Sequence, residues 1–136
     1  AGEVHKELNV AVSRLPVGVV EIGSSQAARG AINTIKPLGV LAVIQAAGVG
    51  EQQREELHWQ IVGVSMADPM ASQLEDISDV EQKLRSVVPG IREWFRWKQT
   101  PLGAGPARFG FEERFLDRQH AQEVIMTAHK NWMTAE

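Results

Sequence analysis

The chain has 136 residues, 43% of them apolar, with 14 Lys plus Arg against 17 Asp plus Glu and no cysteine. That length supports one domain around one modest core, and the net charge of −3 argues against a dominant electrostatic grip on nucleic acid. Missing thiols exclude disulfides, thiolate zinc sites and a cysteine nucleophile, and no apolar run is long enough to span a membrane. In chain order, the start at Ala1 without Met fits a processed mature chain and equally a trimmed one. Val17 to Ile22 reads as a β-branched strand ending at the turn signal Gly23-Ser24-Ser25. Ala31 to Ile35 alternates as a second strand that Pro37 breaks, and Leu38 to Ile44 is apolar throughout, as in a strand buried on both faces. Residues 45–58 read as a long polar loop or short helical excursion, and Trp59 to Val64 as another short strand. Asp68-Pro69 opens a turn into the helical half.

There, Ser78-x-x-Glu81 fits a capping box. Val80, Leu84, Val87, Val88, Ile91 and Phe95 follow helical spacing, with Pro89-Gly90 as a kink or break. Thr100 to Gly105 is a loop, and Asp117 caps a last helix whose Ala121, Val124, Ile125, Ala128 and Trp132 fall within one stripe. A strand-rich half followed by a helical half gives an α+β fold.

Catalytic chemistry is hard to find in these residues. His120 and His129 stand nine residues apart, on opposite sides of one helix, and His5 and His58 have no spacing partner. Gly48-x-Gly50 lacks the rest of any phosphate fingerprint. Glu51, Glu55 and Glu56 read as a solvated acidic face. Trp94, Phe95 and Trp97 read as core and interface aromatics of an amphipathic helix, and Arg92, Arg96 and Lys98 are too few for a nucleic-acid site.

Several stretches are nevertheless specific: Val19-Val20-Glu21-Ile22-Gly23, Ala28-Arg29-Gly30, Leu38-Gly39-Val40-Leu41-Ala42, Asp68-Pro69-x-Ala71 and Asp76-Ile77-x-Asp79-Val80. Glu93-Trp94-Phe95-Arg96, Phe109-x-Phe111 and Thr127-Ala128-His129-x-x-Trp132 follow in order. In this order and spacing the chain resembles the C-terminal part of the family I soluble inorganic pyrophosphatases of eukaryotic type. The resemblance implies strands of a partial, OB-like β-barrel followed by two or three packed helices over residues 13–136, with residues 1–12 as an extension outside the family pattern.

Members of that family hydrolyse pyrophosphate with magnesium ions held by aspartates, because the substrate's charge must be neutralised while a metal-bound water becomes the nucleophile. Their Asp-x-Asp-Pro-x-Asp motif reads here Ser13-Arg14-Leu15-Pro16-Val17-Gly18. The aspartate ending the Leu-Gly strand is Gln45, and Asp-Trp-Lys is His58-Trp59-Gln60 after an insertion at 46–58. The resemblance therefore implies no catalytic residue, no metal ligand and no cofactor in this chain, with Lys98 as a candidate phosphate contact. On this basis the chain is expected to be a pseudoenzyme, not an enzyme: an inactive structural or accessory subunit with protein partners in a multi-subunit, mitochondrial complex, the cytoplasm being the other location. Two further expectations stand beside it: a magnesium-dependent pyrophosphatase fragment active with a second chain, and a regulatory phosphate or nucleotide binder using Arg14, Lys36 and Lys98.

Overall fold

A long antiparallel hairpin organises the molecule, and it grows from the most apolar stretch of the sequence. The computed structural model describes residues 3–24, 26–47 and 54–134. Strand β1 (Val4–His5) pairs antiparallel with β2 (Val10–Val12), and β2 runs parallel to the start of β5 (Arg54–Ser65). Strand β3 (Gly18–Ile22) lies parallel to the second half of β5, in register from Gly18 opposite Gln60 to Ile22 opposite Val64. Strand β4 (Ile35–Ala47) pairs antiparallel with β5 along its whole length, and β6 (Arg108–Phe109) adds to β4 at Val43 and Ile44. Three helices follow the hairpin: α1 (Ile77–Lys83), α2 (Val87–Trp97) and α3 (Arg118–Thr134). This mixed sheet followed by three helices is the α+β arrangement expected.

The sheet is covered on both sides, which is why residues 38–44 carry no polar alternation. Leu38, Leu41, Val43, Val62 and Val64 are fully buried on one face, under Leu74, Ile77, Val80, Val88, Phe95 and Phe115. On the other, Val40 and Ile61 meet Ala121 of α3, and Ala42, Ile44 and Leu57 meet Leu8, Val10, Val12 and Phe111.

Several local expectations are corrected. Residues 31–34 form no strand, and Pro37 does not end one: it sits inside β4 at a bulge between Pro37 and Gly39, where a missing N–H breaks no regular pairing. The supposed loop at 45–58 is mostly strand, since β4 runs to Ala47 and β5 starts at Arg54; its middle, with Gly48, Gly50 and Glu51, lies outside the described residues. The capping box uses Asp76 and Asp79 rather than Ser78 and Glu81. Asp79 accepts from the Glu75 and Asp76 backbone N–H groups at 2.8 and 3.1 Å, bonds that hold its carboxyl below the ordinary range. Pro89-Gly90 neither kinks nor breaks α2, because Pro89 falls in the first turn, where helical N–H groups lack intrahelical partners.

Gly90 is thus a helix glycine with nothing within 4 Å of where a Cβ would stand. Gly90→Ala is expected to stabilise the chain by about 0.5–1 kcal/mol through helix propensity alone, seen as a higher urea midpoint with an unchanged slope.

The last helix is capped as expected: the His120 N–H donates to Asp117 Oδ1 at 3.0 Å. Its apolar stripe is only half used. Ala121 is buried and Val124 and Ala128 are half-buried, but Ile125 is 39% and Trp132 73% exposed.

Candidate functional site

The polar residues that interrupt the hairpin's apolar pattern gather on one sheet face. Strand side chains alternate, so residues opposite and two apart share a face. Leu41 stands opposite Gln60, Val43 opposite His58 and Gln45 opposite Glu56 on β4 and β5, while Gly18 of β3 lies on the other side of Gln60. Continuing away from the core, this face therefore carries Gly18, Gln60, His58, Gln45 and Glu56. A Cβ at Gly18 would collide with the Gln60 side-chain amide. Gly18, Gln45, His58 and Gln60 are positions to which the resemblance assigns metal carboxylates and a lysine, and the fold puts them on this one face. Ser13 and Leu15 do not join them: Ser13 donates its backbone N–H to Leu57 O at 2.8 Å, and Leu15 is 68% exposed.

Against the expectation of a solvated face, Glu56 is buried, 8% exposed. It sits 3.1 Å from Arg54 and 4.0 Å from His58 Nε2. Its neighbour Glu55 points to the opposite face and pairs with Arg108 at 2.6 Å, which holds the Glu55 carboxyl below its ordinary value. Gln45 Oε1 is buried with no hydrogen-bond partner among the described residues. Lys98 follows α2, its Nζ 5.1 and 5.0 Å from the Trp94 and Phe95 ring centroids, and its charge reaches His58. Lys36 is committed elsewhere, to Ala71 O at 2.7 Å and Glu75 at 2.6 Å. Only Phe95 of the aromatic run joins the core; Trp94 and Trp97 are 60% and 52% exposed.

Two histidines respond oppositely to their surroundings. Burial pushes the His58 imidazole below its ordinary 6.5, with Glu56 opposing and Lys98 reinforcing the shift. Its folded form binds a proton less readily than the unfolded chain, so its contribution to stability falls as pH drops through 6.5 towards the lowered value. His120 is raised, chiefly by its 2.7 Å hydrogen bond to Asp117; that stabilisation is complete below 6.5 and fades as pH rises through the raised value. An NMR titration should place the His58 midpoint below 6.5 and that of His120 above it. The reverse order would remove both accounts.

A cluster of ion pairs sits at the C-terminal end of α2. Arg96 meets Glu113 at 2.5 Å and Glu93 at 2.9 Å, and lies 5.0 Å from the centre of the Phe109 ring. These carboxylates raise the Arg96 pKa further. With Trp97, Pro106 and Arg108 they wall a cavity of about 680 Å³ whose guanidiniums are already paired with carboxylates.

Magnesium is the group that members of the resembled family use, and the residues described here do not fit it. Such ions require several oxygen ligands in near-octahedral array. Among the described residues no three His, Asp or Glu side chains converge. On the polar face Glu56 is the one carboxylate among the five residues named, and Arg54 already engages it.

Comparison with known proteins gives a consistent answer. The family model described as inorganic pyrophosphatase matches residues 14–133. The chain is 32% identical over 132 residues to soluble inorganic pyrophosphatase 1, chloroplastic, of Chlamydomonas reinhardtii, covering 97% of this chain and 44% of that protein. It is 37% identical to soluble inorganic pyrophosphatase 6, chloroplastic, of Arabidopsis thaliana, covering 86% and 36%. The crystal structure of the type I inorganic pyrophosphatase from Toxoplasma gondii superposes with a TM-score of 0.81 at 38% identity, over 92% of this chain and 50% of that one. The chain thus spans less than half the length of these two curated relatives. Their names overturn the expectation that the chain is not an enzyme, which rested on single positions: identity spread over most of the chain ties it to proteins named as pyrophosphatases.

Proposed function

The chain belongs to the inorganic pyrophosphatase family, and from that membership we propose that it works within a protein that hydrolyses inorganic pyrophosphate, as the C-terminal part of the domain. The family match over residues 14–133, with relatives named as pyrophosphatases, carries this reading. Residues 13–136 are the family-type domain in this proposal, and residues 1–12 an extension whose strands dock beside β5. Gly18, Gln45, His58 and Gln60 offer no carboxylate, so the groups that neutralise the substrate come from outside this chain's polar face. Completion by further strands is supported by β3. Among the described residues nothing pairs with its outer edge, and Val19 there is 50% exposed; an open edge invites another strand. The test is native mass analysis and magnesium-dependent pyrophosphate hydrolysis on one mildly purified fraction. Hydrolysis co-migrating with a species well above 15.0 kDa is expected. Absence of hydrolysis from every fraction holding the chain would overturn the proposal.

A second reading is favoured by exposed aromatics: Trp94 and Trp97 on α2 and Trp132, 73% exposed, on α3. In it the helix faces join protein partners in a multi-subunit assembly, so that Trp94→Ala with Trp132→Ala should shrink the assembly; an unchanged assembly would refute it. An organelle is the location proposed, the mitochondrion first, supported by relatives named as chloroplastic. Among the described residues no helix is long and apolar enough to cross a membrane. Recovery of the chain from the cytosol alone would refute the organellar placement.

A further inference from the structure

The seven arginines from β5 to α3 divide into two groups. Arg54, Arg96, Arg108 and Arg118 each hold a carboxylate, at 3.1, 2.5, 2.6 and 3.0 Å. Arg85, Arg92 and Arg114 donate no hydrogen bond to any carboxylate among the described residues. All three line one cavity of about 400 Å³, floored by Val88 and Phe115 with Glu81 on its wall. They come from three elements: Arg85 from the turn after α1, Arg92 from α2, and Arg114 from the segment ahead of α3. Arg92 is the most revealing. Its Nη1 donates to Glu113 O at 3.2 Å, but its Nε is buried with no acceptor, the nearest carboxylate oxygen, on Glu93, being 3.8 Å away. That Nε is closed to solvent, so a ligand in the cavity would meet the outer guanidinium nitrogens of Arg92 and not this atom.

We propose that this cavity binds a small tetrahedral oxyanion of the inorganic phosphate type. The walls carry three guanidiniums and one carboxylate, and Glu93 stands 3.8 Å from Arg92, so one positive charge is left over (3 − 2 = 1) to attract such an anion. Forked guanidinium donors suit the oxygens of such an ion better than single ammonium charges do. The apolar floor lowers the local dielectric and strengthens the attraction. The local charge is also opposite in sign to the chain's net −3. None of Gly18, Gln45, His58, Gln60 or Lys98 lines this cavity, so the inference does not rest on the hydrolysis reading and can stand if that reading falls.

The full chain, titrated with inorganic phosphate in the absence of divalent cations, tests the proposal. The Arg92 Nε–H resonance should shift and saturate, and sulfate should compete. Calorimetry should show binding weakened about tenfold in Arg92→Gln and in Arg114→Gln, the loss expected from one charge-assisted hydrogen bond. Arg108→Gln, which alters a guanidinium already paired with Glu55, should leave it unchanged. Arg85→Gln keeps the test decisive if Arg92→Gln unfolds, because Arg85 is exposed and makes no hydrogen bond that folding needs. An unsaturable shift, equal weakening by Arg108→Gln, or displacement by chloride at matched ionic strength would overturn the proposal.

Discussion

Gly39→Ala should destabilise the chain by about 3 kcal/mol, at the upper end of what overpacking a filled core costs. A Cβ at this position would stand 2.7 Å from the Leu116 carbonyl oxygen and 2.8 Å from the Ile77 Cβ. Neither neighbour can yield cheaply. Leu116 is bridged to β4 by the Val40 N–H donating to its oxygen at 3.0 Å, while its own N–H donates to Val40 O at 2.8 Å. Ile77 is 5% exposed, the first residue of α1, and fixed by the Asp76 cap. Relief therefore requires opening the bridge that leads into α3 or lifting α1 off the sheet. Urea unfolding measures the loss, and Gly90→Ala serves as the internal contrast because the same added methyl meets open space there. Equal effects at the two positions would mean that β4 does not pass beneath α1 as described.

The same bulge region shows what can be read from sequence and what cannot. The apolar run 38–44 announces a doubly covered strand because burial on both faces erases alternation. Pro37 misleads because its penalty depends on whether its N–H is needed, and only the register with β5 decides that. The polar stretch 45–58 misleads for a related reason. Gln45, Glu56, His58 and Gln60 break the apolar pattern on one face only, and a strand that leaves its core and continues into a polar end looks like a loop in one dimension. Glu56 is the clearest case: flanked by Arg54 and Glu55 it has the composition of a solvated face, yet its alternation with Glu55 turns it inward. Trp94 and Trp97 err in the other direction, since helical spacing identifies a stripe but not whether anything lies against it. The gathering of Gly18, Gln45, His58 and Gln60 was foreshadowed only through the family pattern, because no local spacing relates residues from three strands. The arginine cavity had no sequence signal at all; Arg85, Arg92 and Arg114 meet only once α1, α2 and the segment before α3 are packed.

That gathering leads to a second large effect, a gain of metal binding. With Gly18→Asp, Gln45→Asp and His58→Asp installed together, the chain should become magnesium-responsive, whereas the natural chain should melt at the same temperature with and without the ion. In strand geometry His58 is two residues from Gln60 along β5, about 7 Å, and diagonal to both Gly18 and Gln45, which themselves lie on opposite sides of β5 roughly 17 Å apart; position 58 can therefore share an ion with either neighbour, but one ion does not span all three. Three carboxylates there would join Glu56 on a half-buried face, so without metal their mutual repulsion should lower stability. A divalent ion removes that repulsion and adds its own binding energy. At a concentration 100 times its dissociation constant, a ligand specific to the folded state contributes about 2.7 kcal/mol, or roughly 10 °C for a domain of this size. The far end of the flexible Gln60 side chain must rotate to admit the new side chain at position 18, a smaller demand than moving backbone. Thermal melts in magnesium and in chelator decide the matter. A magnesium shift in the natural chain would show that the neutral face still finds ligands. A folded triple variant that ignores magnesium would show that position 58 shares an ion with neither Gly18 nor Gln45.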